Sequence, residues 1–147
     1  MKSKIIEILG RIVLKQKKIS QPIIKFFCSF IEDKVEAVRN QSALAIIQII
    51  KKNCSNECDC EVLTEIQKLK NHPSYLIRQK ILMIIEKSLE YSTNRYISEY
   101  RKILTNYLGD PIPNIKLKAL KIVSENRKIC DKAMEKEIER NREDTDS

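Results

Sequence analysis

Glycine, proline, histidine and aromatic residues are scarce in this sequence. Its 147 residues include two glycines, four prolines, one histidine and no tryptophan, and aromatic residues make up 5% of the chain. This composition leaves no glycine-rich loop of the kind that binds phosphate, and no stretch alternates apolar and polar residues as an amphipathic strand does. We therefore expect an all-α protein whose helices are joined by short turns.

Long apolar runs are also missing. The longest, ALAIIQII at residues 43–50, is far below the roughly twenty residues that a membrane-spanning helix needs. The N-terminal stretch is basic and apolar, as a signal peptide is, but Glu7 and Arg11 interrupt it and no small-residue cleavage site follows. We expect a soluble protein of the cytoplasm, with the nucleus as a further location, that does not associate with membranes.

The residue types that catalysis uses are not arranged for it. His72 is the only histidine, and it occupies a turn slot that aspartate fills at two other places in the chain. A role as a turn or capping residue is therefore the better interpretation of His72 than a role as a general base. No serine or cysteine has an evident base partner. We predict neither an enzyme nor a cofactor.

The five cysteines do not form a recognisable metal pattern. Cys54, Cys58 and Cys60 lie close together, but their C-x3-C-x-C spacing is not a recurrent zinc motif, and the only histidine is twelve residues further on. We predict no metal site there, and the simpler interpretation is a loop that tolerates cysteine in a reducing compartment. Cys28 and Cys130 occupy positions typical of half-buried free cysteine.

One seven-residue pattern occurs three times in the chain. Its copies are DKVEAVR at residues 33–39, HPSYLIR at 72–78 and DPIPNIK at 110–116. Each begins with a capping-type residue and ends with a basic one, and the copies are about forty residues apart. Downstream, apolar or small residues coincide at offsets of three and four, which predicts one buried helical face per copy. These positions are Ser42, Ile81 and Ala119; Ala45, Ile84 and Ile122; and Ile46, Ile85 and Val123.

An amphipathic stretch also precedes each copy, so each unit is predicted to be helix, short turn, helix. A period near forty residues with two helices per unit is typical of α-solenoids. We predict one domain that begins with a helix at about 4–18 and ends with a charged helix at about 127–142. Three repeats lie between them, at about 21–52, 59–90 and 95–126. In the leading helix we expect these residues to face inward: Ile5, Ile6, Leu9, Ile12 and Val13.

The stretch GDPIPNIK, at residues 109–116, predicts where the last of these second helices begins. Asp110 is predicted as its N-cap and Pro111 as its first residue, because the fixed φ and missing N–H of proline suit that position. Pro113 would still lie in the first turn, where the missing N–H has no intrahelical partner to lose.

The formal net charge of +8 makes nucleic acid an alternative partner. Lysine and arginine on the face of a solenoid can follow phosphates. In this chain, however, the basic residues are scattered, and the aromatic residues that could stack on bases fall mostly on apolar helix faces. We therefore favour a protein partner and keep nucleic-acid binding as the alternative.

The three copies resemble the turns of HEAT repeats. The resemblance is closer to one family, the scaffolding A subunits of protein phosphatase 2A. Residues 71–90 and 100–129 resemble two successive repeats near the C-terminus of that family, and residues 32–52 resemble the repeat before them. The resemblance covers about residues 21–130, and PSYLIR and GDPIPNIK are its most specific parts.

The resemblance implies a binding scaffold. In that family the C-terminal repeats hold a Ser/Thr phosphatase catalytic subunit on a ridge of intra-repeat turns and adjoining second helices. Tyr75 would be the main anchor, because exposed aromatic residues often dominate interface energies. Glu36 stands where the family carries an aromatic residue, which weakens that part of the ridge. The whole predicted ridge consists of Lys34, Val35, Glu36, Ser74, Tyr75, Leu76, Ile112, Pro113 and Asn114.

The basic residue of each turn belongs, in HEAT proteins, to a ladder that pairs with turn acids of neighbouring repeats. This implies pairing of Arg39, Arg78 and Lys116 with Asp33 and Asp110, and ligand contact is the alternative for the three basic residues. The solenoid of the family is much longer, so this chain lacks the repeats that would receive a regulatory subunit. A generic HEAT adaptor for another protein stays an alternative to the phosphatase scaffold.

Overall fold

The residues that the computed structural model describes lie in helices and in the short turns between them. They are residues 1–17, 19–52, 58–91, 96–126, 129 and 131–146. No strand occurs within these ranges, so the predicted all-α class is confirmed. None of the helices that the structure describes is long and apolar enough to cross a membrane. The chain divides into two compact units, Met1–Thr93 and Asn94–Ser147.

The first unit is built around one long central helix. Its elements are α1 (Lys2–Leu14), α2 (Gln21–Ser29), a 3-10 turn (Phe30–Glu32), α3 (Glu36–Lys52), α4 (Cys58–Leu69) and α5 (Tyr75–Tyr91). Helix α3 contacts all the other elements of this unit. Its Ala43, Ile46 and Ile50 side chains are completely buried. Burial of such apolar area is the main favourable contribution to folding, and here it joins two successive helix pairs.

The second unit contains α6 (Ile97–Leu108), α7 (Pro113–Glu125) and α8 (Lys132–Asp146). Helix α6 packs against both α7 and α8. Its Arg101 Nε donates a 2.6 Å hydrogen bond to the Ile129 carbonyl oxygen and lies 3.6 Å from Asp131 Oδ2, which fastens the segment before α8 to α6. The trailing helix begins and ends a few residues later than its predicted range of about 127–142.

The buried face predicted for the second helices is present in α3, α5 and α7. Every position that the sequence aligns is buried, including the polar one. Ser42 satisfies its hydroxyl by donating a 2.9 Å hydrogen bond to the Val38 carbonyl oxygen of its own helix. A small residue or an aliphatic one can therefore fill the same slot. The buried set is Ser42, Ile81, Ala119, Ala45, Ile84, Ile122, Ile46, Ile85 and Val123.

Helix α1 buries only part of the face that was predicted, and its Leu9 is half-buried. Ile6 and Val13 are buried as expected, but Ile5 is 51% exposed and Ile12 is 52% exposed, so the prediction is wrong for these two residues. The position of Gly10 explains the difference. A Cβ atom added to Gly10 would lie 3.4 Å from Ala45 Cβ, so α1 meets α3 along its glycine side. Because α1 packs on this side, Ile5 and Ile12 face away from the core.

Candidate functional site

The first copy of the pattern forms a turn held at both ends by its own side chains. We call residues 33–39 turn 1. Asp33 Oδ1 accepts a 2.9 Å hydrogen bond from the Val35 N–H, and the Arg39 side chain bends back from α3. Its Nη1 donates to the carbonyl oxygens of Asp33 at 2.8 Å and Lys34 at 3.0 Å. The side chain of Arg39 is buried, so these charge-assisted bonds are shielded from water.

The second copy, residues 72–78, forms turn 2 with the same construction. His72 Nδ1 accepts a 3.0 Å hydrogen bond from the Ser74 N–H, as the Asp33 carboxylate does from Val35. Arg78 Nη1 donates to the carbonyl oxygens of His72 at 2.8 Å and Pro73 at 3.1 Å. An imidazole nitrogen without a proton is an acceptor, which explains why histidine can stand in an aspartate slot. The prediction that His72 is a turn residue is confirmed.

The third copy, residues 110–116, is turn 3, and it corrects the prediction made for its helix start. Asp110 Oδ1 accepts a 2.9 Å hydrogen bond from the Ile112 N–H, and α7 begins at Pro113. Asp110 is therefore not the N-cap, and Pro111 is not the first helical residue. Pro113 is the cause, because a residue before proline is held in an extended conformation, and Ile112 has φ −88° and ψ 117°.

Turns 1 and 2 lie side by side in the first unit. His72 Nε2 is 3.4 Å from Glu32 Oε1, at the end of the 3-10 turn that leads into turn 1. Burial is the main reason that the pKa of Lys80 lies below its usual value; Glu36 opposes this shift and Arg39 adds to it. Lys80 on α5 therefore lies near the residues that begin α3.

The predicted ridge residues differ in exposure. Val35 is 55% exposed and Tyr75 is 42% exposed, so both present apolar surface to solvent. Lys34 and Glu36 are exposed as well, whereas Ser74 and Leu76 are half-buried. Four of the six ridge residues in turns 1 and 2 are therefore exposed, and the other two are half-buried. In turn 3, described within its own unit, Pro113 and Asn114 are exposed and Ile112 is half-buried.

The first acid of the predicted ladder has a partner that the sequence did not indicate. Asp33 Oδ2 forms a 2.9 Å ion pair with Lys2 Nζ on α1. The hydrogen bond from Lys2, followed by that from the Val35 N–H, holds the pKa of the Asp33 carboxyl below its usual value. Lys2 lies thirty-one residues away in the chain and outside every copy of the pattern, so spacing alone could not find it. Pairing of Arg39, Arg78 and Lys116 across repeats stays a prediction.

The two cysteines whose surroundings are described differ in burial. Cys28 on α2 is buried, and this burial, with a smaller contribution from the charge of Glu65, raises the pKa of its thiol to about 12. Cys60 on α4 is exposed. Cys54, Cys130 and the side chain of Cys58 lie outside the described residues. Within the described part of the chain, no group of three or more His, Cys, Asp and Glu side chains could hold a metal ion.

We expect iodoacetamide at pH 8 to alkylate Cys60 in the native protein and to leave Cys28 unmodified. The thiolate is the reactive form, and burial suppresses it at Cys28. Peptide mapping by mass spectrometry distinguishes the two positions, and the same reaction in denaturant is the control, because there both thiols should react. Rapid modification of native Cys28 would contradict its burial.

Comparisons with known proteins found no relative of this chain. No family model matches the chain, and neither the curated proteins nor the solved structures include a match. The assignment of function therefore depends on the turns themselves.

Proposed function

We propose that this chain is a HEAT-type α-solenoid scaffold that binds a Ser/Thr phosphatase catalytic subunit through its turns. One observation carries the proposal. The three second helices begin at the same position of the pattern, at Glu36, Tyr75 and Pro113, and that residue is exposed in each. An exposed position that recurs at the start of each second helix is suited to contacting one partner at several points.

The order and packing of the helices support the solenoid part of the proposal. In the first unit, the second helices α3 and α5 pack on each other, as do the first helices α2 and α4. This like-with-like stacking is how solenoid repeats bury a continuous core between neighbours. The aligned buried positions of α7 extend the same register into the second unit.

The hydrogen bonds within the turns support the second part of the proposal, binding to a partner. Tyr75 is the first residue of α5. It lies between Ser74, whose N–H donates to His72 Nδ1, and Arg78, whose Nη1 donates to the His72 carbonyl oxygen. Ordering surface side chains on binding has an entropic cost, and a tyrosine on a fixed backbone has only two torsions left to order. Val35 is the neighbouring exposed apolar residue of turn 1. Each of the two turns therefore presents one exposed apolar residue, the aromatic Tyr75 in turn 2 and the aliphatic Val35 in turn 1.

The test is binding of a purified type 2A-like phosphatase catalytic subunit to the intact chain, measured by calorimetry. We expect Tyr75→Ala to weaken binding about 30-fold, which corresponds to about 2 kcal/mol, because an interface anchor loses its buried contacts. Lys34→Ala, at the charged rim, should change affinity by less than about threefold. Leu117→Ala is the matched control, because Leu117 is 61% exposed on α7 but outside the predicted ridge.

Thermal melts of each variant establish that the fold is retained before affinities are compared. If the catalytic subunit does not bind the intact chain, the proposed partner is wrong. If it binds but Tyr75→Ala has the affinity of the wild type, the partner stands and the ridge is misplaced.

A further inference from the structure

One apolar stripe of α1 is exposed to solvent in the part of the chain that the structure describes. Ile5, Ile8 and Ile12 are 51%, 46% and 52% exposed, although each is a large aliphatic side chain. The opposite side of the same helix already packs against α3 through Ile6, Gly10 and Val13. Helix α1 therefore has two apolar stripes, and only one of them is covered by the described part of this chain.

The spacing of the exposed stripe is that of a coiled-coil seam. Residues 5, 8 and 12 are separated by three and four positions, which places them at alternating a and d positions of a heptad. Such a stripe is narrow, whereas helices that lie in a bilayer surface present a wide apolar face that often carries tryptophan or phenylalanine. A seam three isoleucines long fits one partner helix better than a lipid surface.

The flank of the seam is basic. Lys4 and Arg11 precede Ile5 and Ile12 and occupy the g positions, where coiled coils carry the charges that select a partner. Their side chains are 67% and 70% exposed. Glu7 lies 3.4 Å from Lys4 and 2.8 Å from Arg11, so one carboxylate is shared by two cations and the flank keeps a net positive charge.

A second copy of this chain does not complement that flank. In an antiparallel pair of α1 helices, residues 5 and 8 would interlock, and Lys4 would meet Arg11 of the other copy. In a parallel pair, g faces e, where this helix has Lys2 and Leu9 and no acid. Both arrangements leave the cations unpaired or opposed.

We propose that the Ile5, Ile8 and Ile12 seam of α1 docks an amphipathic helix of another protein whose flanking positions are acidic. The isoleucines supply apolar area that is now in contact with water, and Lys4 and Arg11 select the charge of the partner and its register. This surface is separate from the turns, so the inference does not depend on the phosphatase proposal.

Two synthetic helices test the proposal with the full chain. Both are stapled peptides of about 18 residues, long enough to hold a helix, with Ile and Leu at the seam; one carries Glu at its flanking positions and the other Lys. We expect the Glu peptide to bind at least about fivefold more tightly, measured by fluorescence anisotropy, and its affinity to fall as salt rises. Ile8→Ser should abolish this binding, whereas Leu117→Ser, on an exposed site of α7, should not change it.

A charge reversal gives the sharper result. The double variant Lys4→Glu and Arg11→Glu should prefer the Lys peptide, because the seam is unchanged and only its flank is inverted. Equal binding of both peptides to the wild-type chain, or binding of neither, would overturn the proposal. Self-association of the chain that Ile8→Ser removes would instead assign the seam to a second copy. Binding to phosphatidylserine vesicles, lost in Ile8→Ser and without binding of the Glu peptide, would assign it to a lipid surface.

Discussion

Ile81→Ala should lower the free energy of unfolding by about 3 to 4 kcal/mol. Ile81 is completely buried on α5, at a position that the three repeats share. Removing its three outer carbon atoms takes away apolar contacts and leaves a cavity that the neighbouring helices of the first unit can only partly fill. Urea denaturation followed by circular dichroism measures the loss as a lower midpoint with an unchanged slope.

The matched control is Ile12→Ala, the same substitution in a helix of the same unit. Ile12 is 52% exposed and faces away from the core, so its truncation should change stability by less than about 0.5 kcal/mol. The contrast tests the repeat register together with the correction made for α1. Equal losses in the two variants would mean that Ile12 is covered or that Ile81 is not in the core.

The buried faces of the second helices could be predicted from the sequence because they depend on local periodicity. A helix repeats every 3.6 residues, so three aligned segments with apolar residues at matching offsets must present matching faces. Ser42 and Ala119 follow the same rule as Ile81, although their side chains differ in size. Nothing outside each segment was needed to find these positions.

The covered side of α1 could not be predicted in this way. Its sequence carries two apolar stripes, and periodicity assigns both to the interior. The choice between them is made by a long-range contact, the close approach of Gly10 to Ala45, thirty-five residues further along the chain. One sequence without structure contains no signal for which stripe meets α3.

The turns show a different limit of prediction from the sequence. Aspartate at a helix start favours both an N-cap and a turn in which its carboxylate accepts the N–H two residues on, because the same short acceptor serves both. At Asp110 the choice was decided by Pro113, which delays the helix by holding Ile112 extended. The resemblance to HEAT repeats implied pairing of Arg39 with turn acids, which stays a prediction, but it did not indicate that Arg39 Nη1 donates to two backbone carbonyl oxygens of turn 1.

Arg39→Met should destabilise the first unit by about 2 to 3 kcal/mol. The substitution keeps the aliphatic stem but removes both hydrogen bonds to the carbonyls of turn 1, and each bond to a charged group contributes about 1.5 to 3 kcal/mol. Part of this is offset, because the guanidinium no longer has to be desolvated. Its Nε is buried and has no partner among the described residues.

Two comparisons separate the effect of the two Arg39 hydrogen bonds on stability from the effect of its positive charge. Arg39→Lys should recover less than half of the loss, because the lysine side chain is one atom shorter and its ammonium does not reach the position from which Nη1 donates to both carbonyls. Arg11→Met removes an exposed arginine that pairs with Glu7 on α1, and it should cost less than about 1 kcal/mol. If Arg39→Lys has the stability of the wild type, the positive charge near turn 1 stabilises it, and the two arginine hydrogen bonds do not. If Arg39→Met leaves stability unchanged, the hydrogen bonds from Arg39 do not hold turn 1, and the hydrogen bond from the Val35 N–H to Asp33 is sufficient to hold Val35 in place.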